Sequence, residues 1–315
     1  MDTQYIDSKI GYDLDDFIVP EWILDDVGYF YPEVYQHIYQ EKNKIVTFPM
    51  TYKDTFIQLR KQTYWLCNWY DELIKEGIPV IPSKIICIHN DTTIMKNILD
   101  KELTDEYKFL RFCNASPKDI IEPIFNKNSP DICNVFQTSH RTNYMFNTNL
   151  ISNIPLVNNT LNNTLYIPST DTSSINSFST CASLHKTHLV IRPVVHIDHE
   201  VRCLWHKHKL RAVSGPLYYV NDVIQNDIKN AVDHFFQTYG SSIPYNSATI
   251  DLGINLSANL NNNNLNNNYK TFIVEINSFG SDMLAVSAHF NWKEDFMILY
   301  NAKTPVYRFK EEFEW

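Results

Sequence analysis

Two stretches with strand character, SATIDLGI (247–254) and YKTFIVEIN (269–277), flank an Asn-rich spacer and carry polar groups where a sheet buries side chains. Side chains alternate between the two faces of a strand. Thr249 and Asp251 therefore share one face of the first stretch. On the second, Ile273, Glu275 and Asn277 share one face, and Phe272, Val274 and Ile276 the other. A buried carboxylate is costly unless it is paired, hydrogen-bonded or bound to a metal. The spacer, Asn255 to Asn268, has nine Asn in fourteen residues and is too long for a tight turn. The pair reads as a hairpin with an expanded connection, which sets Asp251 beside Glu275 and Asn277. Two carboxylates and an amide oxygen are hard ligands suited to Mg²⁺, which usually completes its shell with water and substrate phosphates. The constellation points to a nucleotide triphosphate held through metal. Ordinary ion pairing on a sheet surface is the alternative that these residues leave open.

Other routes to a nucleotide are closed. With only 7 glycines in 315 residues, neither GxGxxG nor GxxxxGK[ST] occurs. The net charge of −9 argues against a general nucleic-acid binder, whose affinity rests on neutralising phosphates. The six cysteines, at 67, 87, 113, 133, 181 and 203, form no CxxC or other close pair, so zinc-ribbon and dithiol chemistry are not indicated. Buried free thiols in a reducing compartment are expected. The acidic start, MDTQYIDSKIGYDLDDF, is not a signal peptide, and no apolar run approaches ~20 residues, so a cytosolic or nuclear location is expected, cytoplasmic being preferred, with no membrane partner.

Along the chain, 53–76 reads as an amphipathic helix stopped by Gly77, and IPVIPSKIICIHN as a strand followed by a helix capped by Asp91. FLRFC (109–113) is a short strand. In SPKDIIEPIF, Ser116 at N-cap, Pro117 at N1 and Asp119 at N3 predict a helix start. Residues 146–180, rich in Asn, Ser and Thr, form a loop or insertion. HLVIRPVVHIDHEVRCLWHKHKLRAVS predicts strand, tight link, strand, hairpin, strand. A helix follows over about Val220 to Tyr239, with Gly240 placed to end it. His196, His199, His206 and His208 are a competing candidate for a transition-metal site, although their spacing matches no HExxH.

IDLGI…YKTFIVEINSFGSD resembles the end of the ATP-grasp catalytic core, where an Asp on one strand and Glu-x-Asn on the next hold the Mg²⁺ of Mg-ATP. Within that superfamily the chain is similar to the cell division cycle protein 123 family. FLRFCNASPKD (109–119), LVIRPV with EVRCL (189–204), DHFFQTYG, and TIDLGI with FIVEINSFG echo its blocks in order, over roughly 105–295. The resemblance implies an α+β fold of the ATP-grasp kind, two α/β lobes with the nucleotide between them, plus an N-terminal α/β region. The expected divisions are 1–104, a small lobe over 105–191 and a large lobe over 192–315. By the same resemblance, Asp251, Glu275 and Asn277 match the metal ligands, Glu275 standing where the family usually has Asp. Glu200 matches the acidic residue that meets the ribose hydroxyls, and Pro193 to Val195, with Val194, the adenine-side hinge. Arg192 and Arg202 match two family arginines that either bond phosphates or pair with Glu200 or Asp251. Arg111 stands where the family has a phosphate-reaching Lys, and Lys118 matches a family basic position.

Two departures bear on chemistry. A second small-lobe Lys is replaced by Gln137, and a Q-R-D block by SGPLYY (214–219), with Arg141 or Lys209 as candidate substitutes. The family implies a Mg-ATP-binding factor that promotes assembly of translation initiation factor two through its gamma subunit. An ATP-grasp ligase forming an acyl phosphate is the alternative, and the missing basic residues weigh against strong catalysis. A scaffold that has lost ATP fits less well, because all three metal-ligand positions remain.

Overall fold

The computed structural model describes residues 16–20, 45–49, 63–88, 92–113, 116–118, 123–125, 131–140, 142, 188–256, 270–280, 289–292 and 294–312. The chain divides into two compact units, Met1–Ile81 with Val195–Trp315, and Pro82–Val194. Asp91, Asp119, the 146–180 insertion and nearly all of the Asn-rich spacer lie outside the described residues.

The first unit contains an antiparallel ribbon, β1 (Asp16–Pro20) with β2 (Ile45–Pro49), and helix α1 (Leu66–Lys75). Within the described part of the expected 53–76 helix, Trp65 is extended (ψ 139°), so the regular helix begins only at Leu66. It buries Leu66, Trp69 and Leu73, the apolar stripe expected of it.

The second unit holds β3 (Lys84–Cys87), α2 (Thr92–Glu102), β4 (Tyr107–Phe112), α3 (Ile132–Thr138) and β5 (His188–Pro193). Its sheet runs β3–β5–β4, antiparallel throughout. Leu110, Phe112, Leu189 and Ile191 share one face and pack with Met95, Leu99 and Phe136 of the two helices. Alternation puts Arg111 and Arg192 on the other face, where both are buried. The helix start expected at Ser116 is not seen in the described residues. Ser116 and Pro117 are irregular and Lys118 lies in a turn. Beyond them the Leu110 and Phe125 amides donate to Pro123 O and Lys108 O, so 123–125 runs beside β4 as an extended strip.

The main sheet belongs to the first unit. It comprises β6 (His199–His206), β7 (Leu210–Ser214), β8 (Ser247–Asn255), β9 (Lys270–Asn277) and β10 (Val306–Arg308), in the order β10–β7–β6–β8–β9. Only β10 and β7 are parallel. The β6–β7 hairpin turns through Lys207 and His208, both at positive φ (52° and 54°), as a two-residue turn closed by mutual His206–Lys209 backbone bonds. The expected β8–β9 hairpin is present across the spacer, antiparallel with one register shift between Asp251 and Leu252.

Helix α4 (Asp222–Tyr239) covers one face of this sheet. Asn221 caps it by accepting from the Ile224 amide, and Ile228, Ala231, Val232 and Phe235 are buried. Tyr307 of β10 donates to Asp233 on this helix, and Trp205 of β6 stacks on Phe236. Gly240 does not end the helix in the left-handed conformation. The helix still stops there, Gly240 being its C-cap at φ −57°, and the Trp205 indole lies in ordinary van der Waals reach of where a Cβ would stand.

Helix α5 (Phe296–Asn301) covers one end of the opposite face with an aromatic cluster. His206 is stacked on Phe279 and meets Tyr300 edge-on, with ring centroids 4.9 Å apart in both cases. Its Nδ1 bonds Ser247 Oγ at 2.8 Å. Burial, reinforced by Lys207 and Arg211, depresses the His206 pKa to about 3. The unfolded chain takes up this proton near pH 6.5 and the folded chain does not, so stability is lost as pH falls through that window. We expect a loss of about 2–3 kcal/mol between pH 7 and 4.5 from this residue, read by urea denaturation. His206→Gln should flatten that part of the slope.

Among the described residues no helix is long and apolar enough to cross a membrane. Among the described residues, Cys113, Cys133 and Cys203 are buried and Cys67 and Cys87 half-buried, each outside any disulfide.

Candidate functional site

The sheet registers place one polar residue on each strand in a single row, Arg308, Ser214, Arg202, Asp251 and Glu275, from β10 across to β9. Directly opposed residues point to the same face, so the row lies on the face that carries α5. Asn277 follows in the next same-face row, opposite Thr249. The neighbouring row toward the other strand ends is Glu200, Gly253 and Phe272.

Strict alternation on β9 would have put Glu275 on the same face as Ile273. The structure differs, because the register slips between Asp251 and Leu252. Glu275 opposes Asp251, Ile273 opposes Leu252, and Val274 is the extra residue of a bulge. Ile273 is thereby sent, fully buried, to the face of α4, and Glu275 and Asn277 keep the polar face. The bulge resolves the conflict of an apolar residue and a carboxylate two apart on one strand.

Asp251 is 3% exposed. Arg202 holds it in a two-pronged pair, Nε donating to Oδ1 at 2.7 Å and Nη2 to Oδ2 at 2.8 Å. Asn277 Nδ2 lies 3.5 Å from the same Oδ2. The Asp251 hydrogen bond raises the Arg202 pKa, burial opposes that, and the charges of Asp251, Glu275 and Glu200 add to the rise. Arg202 and Asn277 thus meet Asp251 directly, and Glu275 and Glu200 are near enough for their charges to act on the Arg202 guanidinium. The carboxylate and amide oxygens are the hard donors that Mg²⁺ takes, so the residues present fit such an ion.

Both readings of Arg202 left by the sequence bear on this geometry, and the pairing with Asp251 is the one observed. Glu200 is exposed at the start of β6. Val194 (exposed) and Val195 (half-buried) lie in the irregular link from β5 to β6. In the second unit, Arg192 Nε donates to Ser83 Oγ at 2.8 Å and Arg111 Nε to Phe112 O at 3.0 Å, while Lys118 is exposed. Gln137 is exposed on α3 and Lys209 is exposed after the β6–β7 turn; Arg141 lies outside the described residues.

The four histidines are not brought together. His199 and His206 stand at opposite ends of β6, ~23 Å apart at ~3.3 Å per residue. His196 pairs with Asp198 at 2.7 Å, His199 bonds Tyr218 at 2.8 Å, and His208 sits in the hairpin turn.

Ser214 and Arg308 were not singled out by spacing, since only the β7 and β10 registers carry them into the row. Ser214 Oγ accepts from the His289 amide, and Arg308 pairs with Asp295 while contacting His289 O. These bonds tie the 289–295 segment to the sheet. Gly253 had a legible signal, a glycine within a strand, which marks close approach.

Comparison with known proteins agrees with the ordered motifs. No family model matches the chain. A CDC123-like protein of Acanthamoeba polyphaga mimivirus is 25% identical over 259 residues, covering 79% of this chain and 75% of that one. The chain is thus similar to proteins of the cell division cycle protein 123 family. The C-terminally truncated Cdc123 of Schizosaccharomyces pombe matches with a TM-score of 0.50 and 13% identity, over 79% of this chain and 96% of that chain. A second structure of Cdc123 from that organism gives 0.49 and 12% over the same shares. The fold is α+β and resembles that of the truncated Cdc123 structure.

A Cβ at Gly253 would lie 2.8 Å from the Phe272 ring and 3.2 Å from a Val274 methyl. Gly253→Ala should therefore displace the ring beside Glu200 and destabilise the unit by about 1–3 kcal/mol in urea denaturation.

Proposed function

We propose that the chain binds Mg-ATP on the polar face of the main sheet and serves as an assembly factor for translation initiation factor two through its gamma subunit. The observation that carries the nucleotide part is the register that sets Asp251 opposite Glu275, with Asn277 within 3.5 Å of the Asp251 carboxylate. Asp251, Glu275 and Asn277 hold the metal in this reading. Mg²⁺ there neutralises triphosphate charge and orients the chain of phosphates. Glu200 takes the ribose hydroxyls, and Arg202, Arg192, Arg111 and Lys118 contact phosphates. Val194 and Val195 lie along the base. The partner and a cytoplasmic setting follow from the family resemblance.

Binding rather than vigorous turnover is the favoured activity. Gln137, in place of a basic residue, brings no charge to the phosphates, and the segment from Ser214 to Tyr219 has none either. Isothermal calorimetry should show Mg-dependent ATP binding by the wild type and none by Asp251→Ala/Glu275→Ala. Equal affinity in the double variant refutes the site. Affinity capture with the purified gamma subunit should retain the chain. ADP release that needs an added carboxylic acid and amine would instead establish the ligase.

A further inference from the structure

Of the three residues proposed to hold metal, Asp251 is already spoken for. Both carboxylate oxygens accept from the Arg202 fork, at 2.7 and 2.8 Å. The Asp251 side chain is 4% exposed and that of Arg202 27%, so the pair is shielded from water far more than a surface ion pair. Charge-assisted, two-pronged bonds of this kind are among the strongest a protein makes. A divalent cation arriving alone has to displace the fork or share the carboxylate's remaining lone pairs beside it. It then faces the guanidinium at short range, where like charges repel strongly in a poorly solvated site.

A ligand with phosphate oxygens changes this balance. Its planar pairs of anionic acceptors match a guanidinium fork as well as a carboxylate does. Arg202 then keeps a full set of partners while Asp251 is freed. The charges of Glu275 and Glu200 act on the same guanidinium and hold it within the acidic patch once Asp251 lets go.

We propose that Arg202 is a built-in counter-ion that closes Asp251 until phosphate oxygens take over its fork, so that a divalent cation is admitted only together with the phosphate-bearing ligand. The identity of that ligand rests on the Mg-ATP reading; the exclusion of lone metal by Arg202 does not. The register supplies the device directly, since Arg202 on β6 stands opposite Asp251 on β8.

Mn²⁺ is the probe, followed by water-proton relaxation with thermal unfolding in parallel. Without nucleotide, Arg202→Gln should bind Mn²⁺ at least about tenfold more tightly than the wild type, the loss of a competing bound cation being worth ~1.4 kcal/mol or more. Its Tm, lowered because Asp251 is left buried without a cation, should rise with Mn²⁺. The wild-type Tm should not respond to Mn²⁺ alone. Arg202→Lys, which keeps the charge but loses the fork, should fall between the two and serves as the comparison if Arg202→Gln does not fold. A purely structural ion pair predicts a lower Tm with no recovery in Mn²⁺. Equal Mn²⁺ affinity in the wild type and the folded variant overturns the inference, whether or not ATP binds. A gain in Mn²⁺ affinity in a protein that fails to bind ATP in calorimetry keeps the counter-ion role and removes the nucleotide reading.

Discussion

The Arg202–Asp251 pair is the interaction on which the polar face of the main sheet depends. A carboxylate as deeply buried as Asp251 is tolerated only with a partner, and the β6–β8 register supplies one from the adjacent strand. Around it the sheet separates its two faces sharply. One face packs Val201, Cys203, Ile250, Leu252 and Ile273 beneath α4, all 0–1% exposed. The other carries the charged row, closed at one end by the aromatic cluster of His206, Phe279 and Tyr300. An apolar layer thus holds the strands in register, and the register holds the charges together.

The β9 bulge is the local device that makes this separation work. It lets TFIVEIN contribute Ile273 to the α4 face and Glu275 and Asn277 to the polar face, which a regular strand could not do. The side chain of Val274, displaced by the bulge, and the ring of Phe272 occupy the room that Gly253 leaves. One glycine in β8 and one extra residue in β9 therefore belong to the same local solution. The second unit shows a simpler version of the same logic, with helices on one face of its sheet and Arg111 and Arg192 on the other.

Much of the fold was legible because its signals are local. The strand–link–strand–hairpin run over 188–214 and the helix ending at Tyr239 follow from alternation, helical spacing and breakers. Where the reading failed, a non-local contact overrode a local signal. Ser116, Pro117 and Asp119 have the composition of a helix start, but Pro123–Phe125 pairs with β4, and that pairing limits any helix there. Gly240 does follow the last helical residue, Tyr239, as its position suggested, but at a right-handed φ of −57° rather than the left-handed conformation of a glycine stop. Val223 fits the apolar stripe of α4 by spacing and is 69% exposed.

The candidate site divides in the same way. The amino-acid sequence alone determined which residues carry charge on strand-like segments, and the order of its motifs was enough to indicate a likeness to the cell division cycle protein 123 family. Asp251, Glu275 and Asn277 were recognisable as a set because two of them lie two apart and the third lies on the strand paired with theirs. Only the tertiary structure decided that Arg202 grips both oxygens of Asp251, and that Ser214 and Arg308 extend the row. Those are matters of register between strands far apart in the chain. A one-residue slip turns a side chain to the opposite face, and no local pattern along a single strand specifies its neighbour's register.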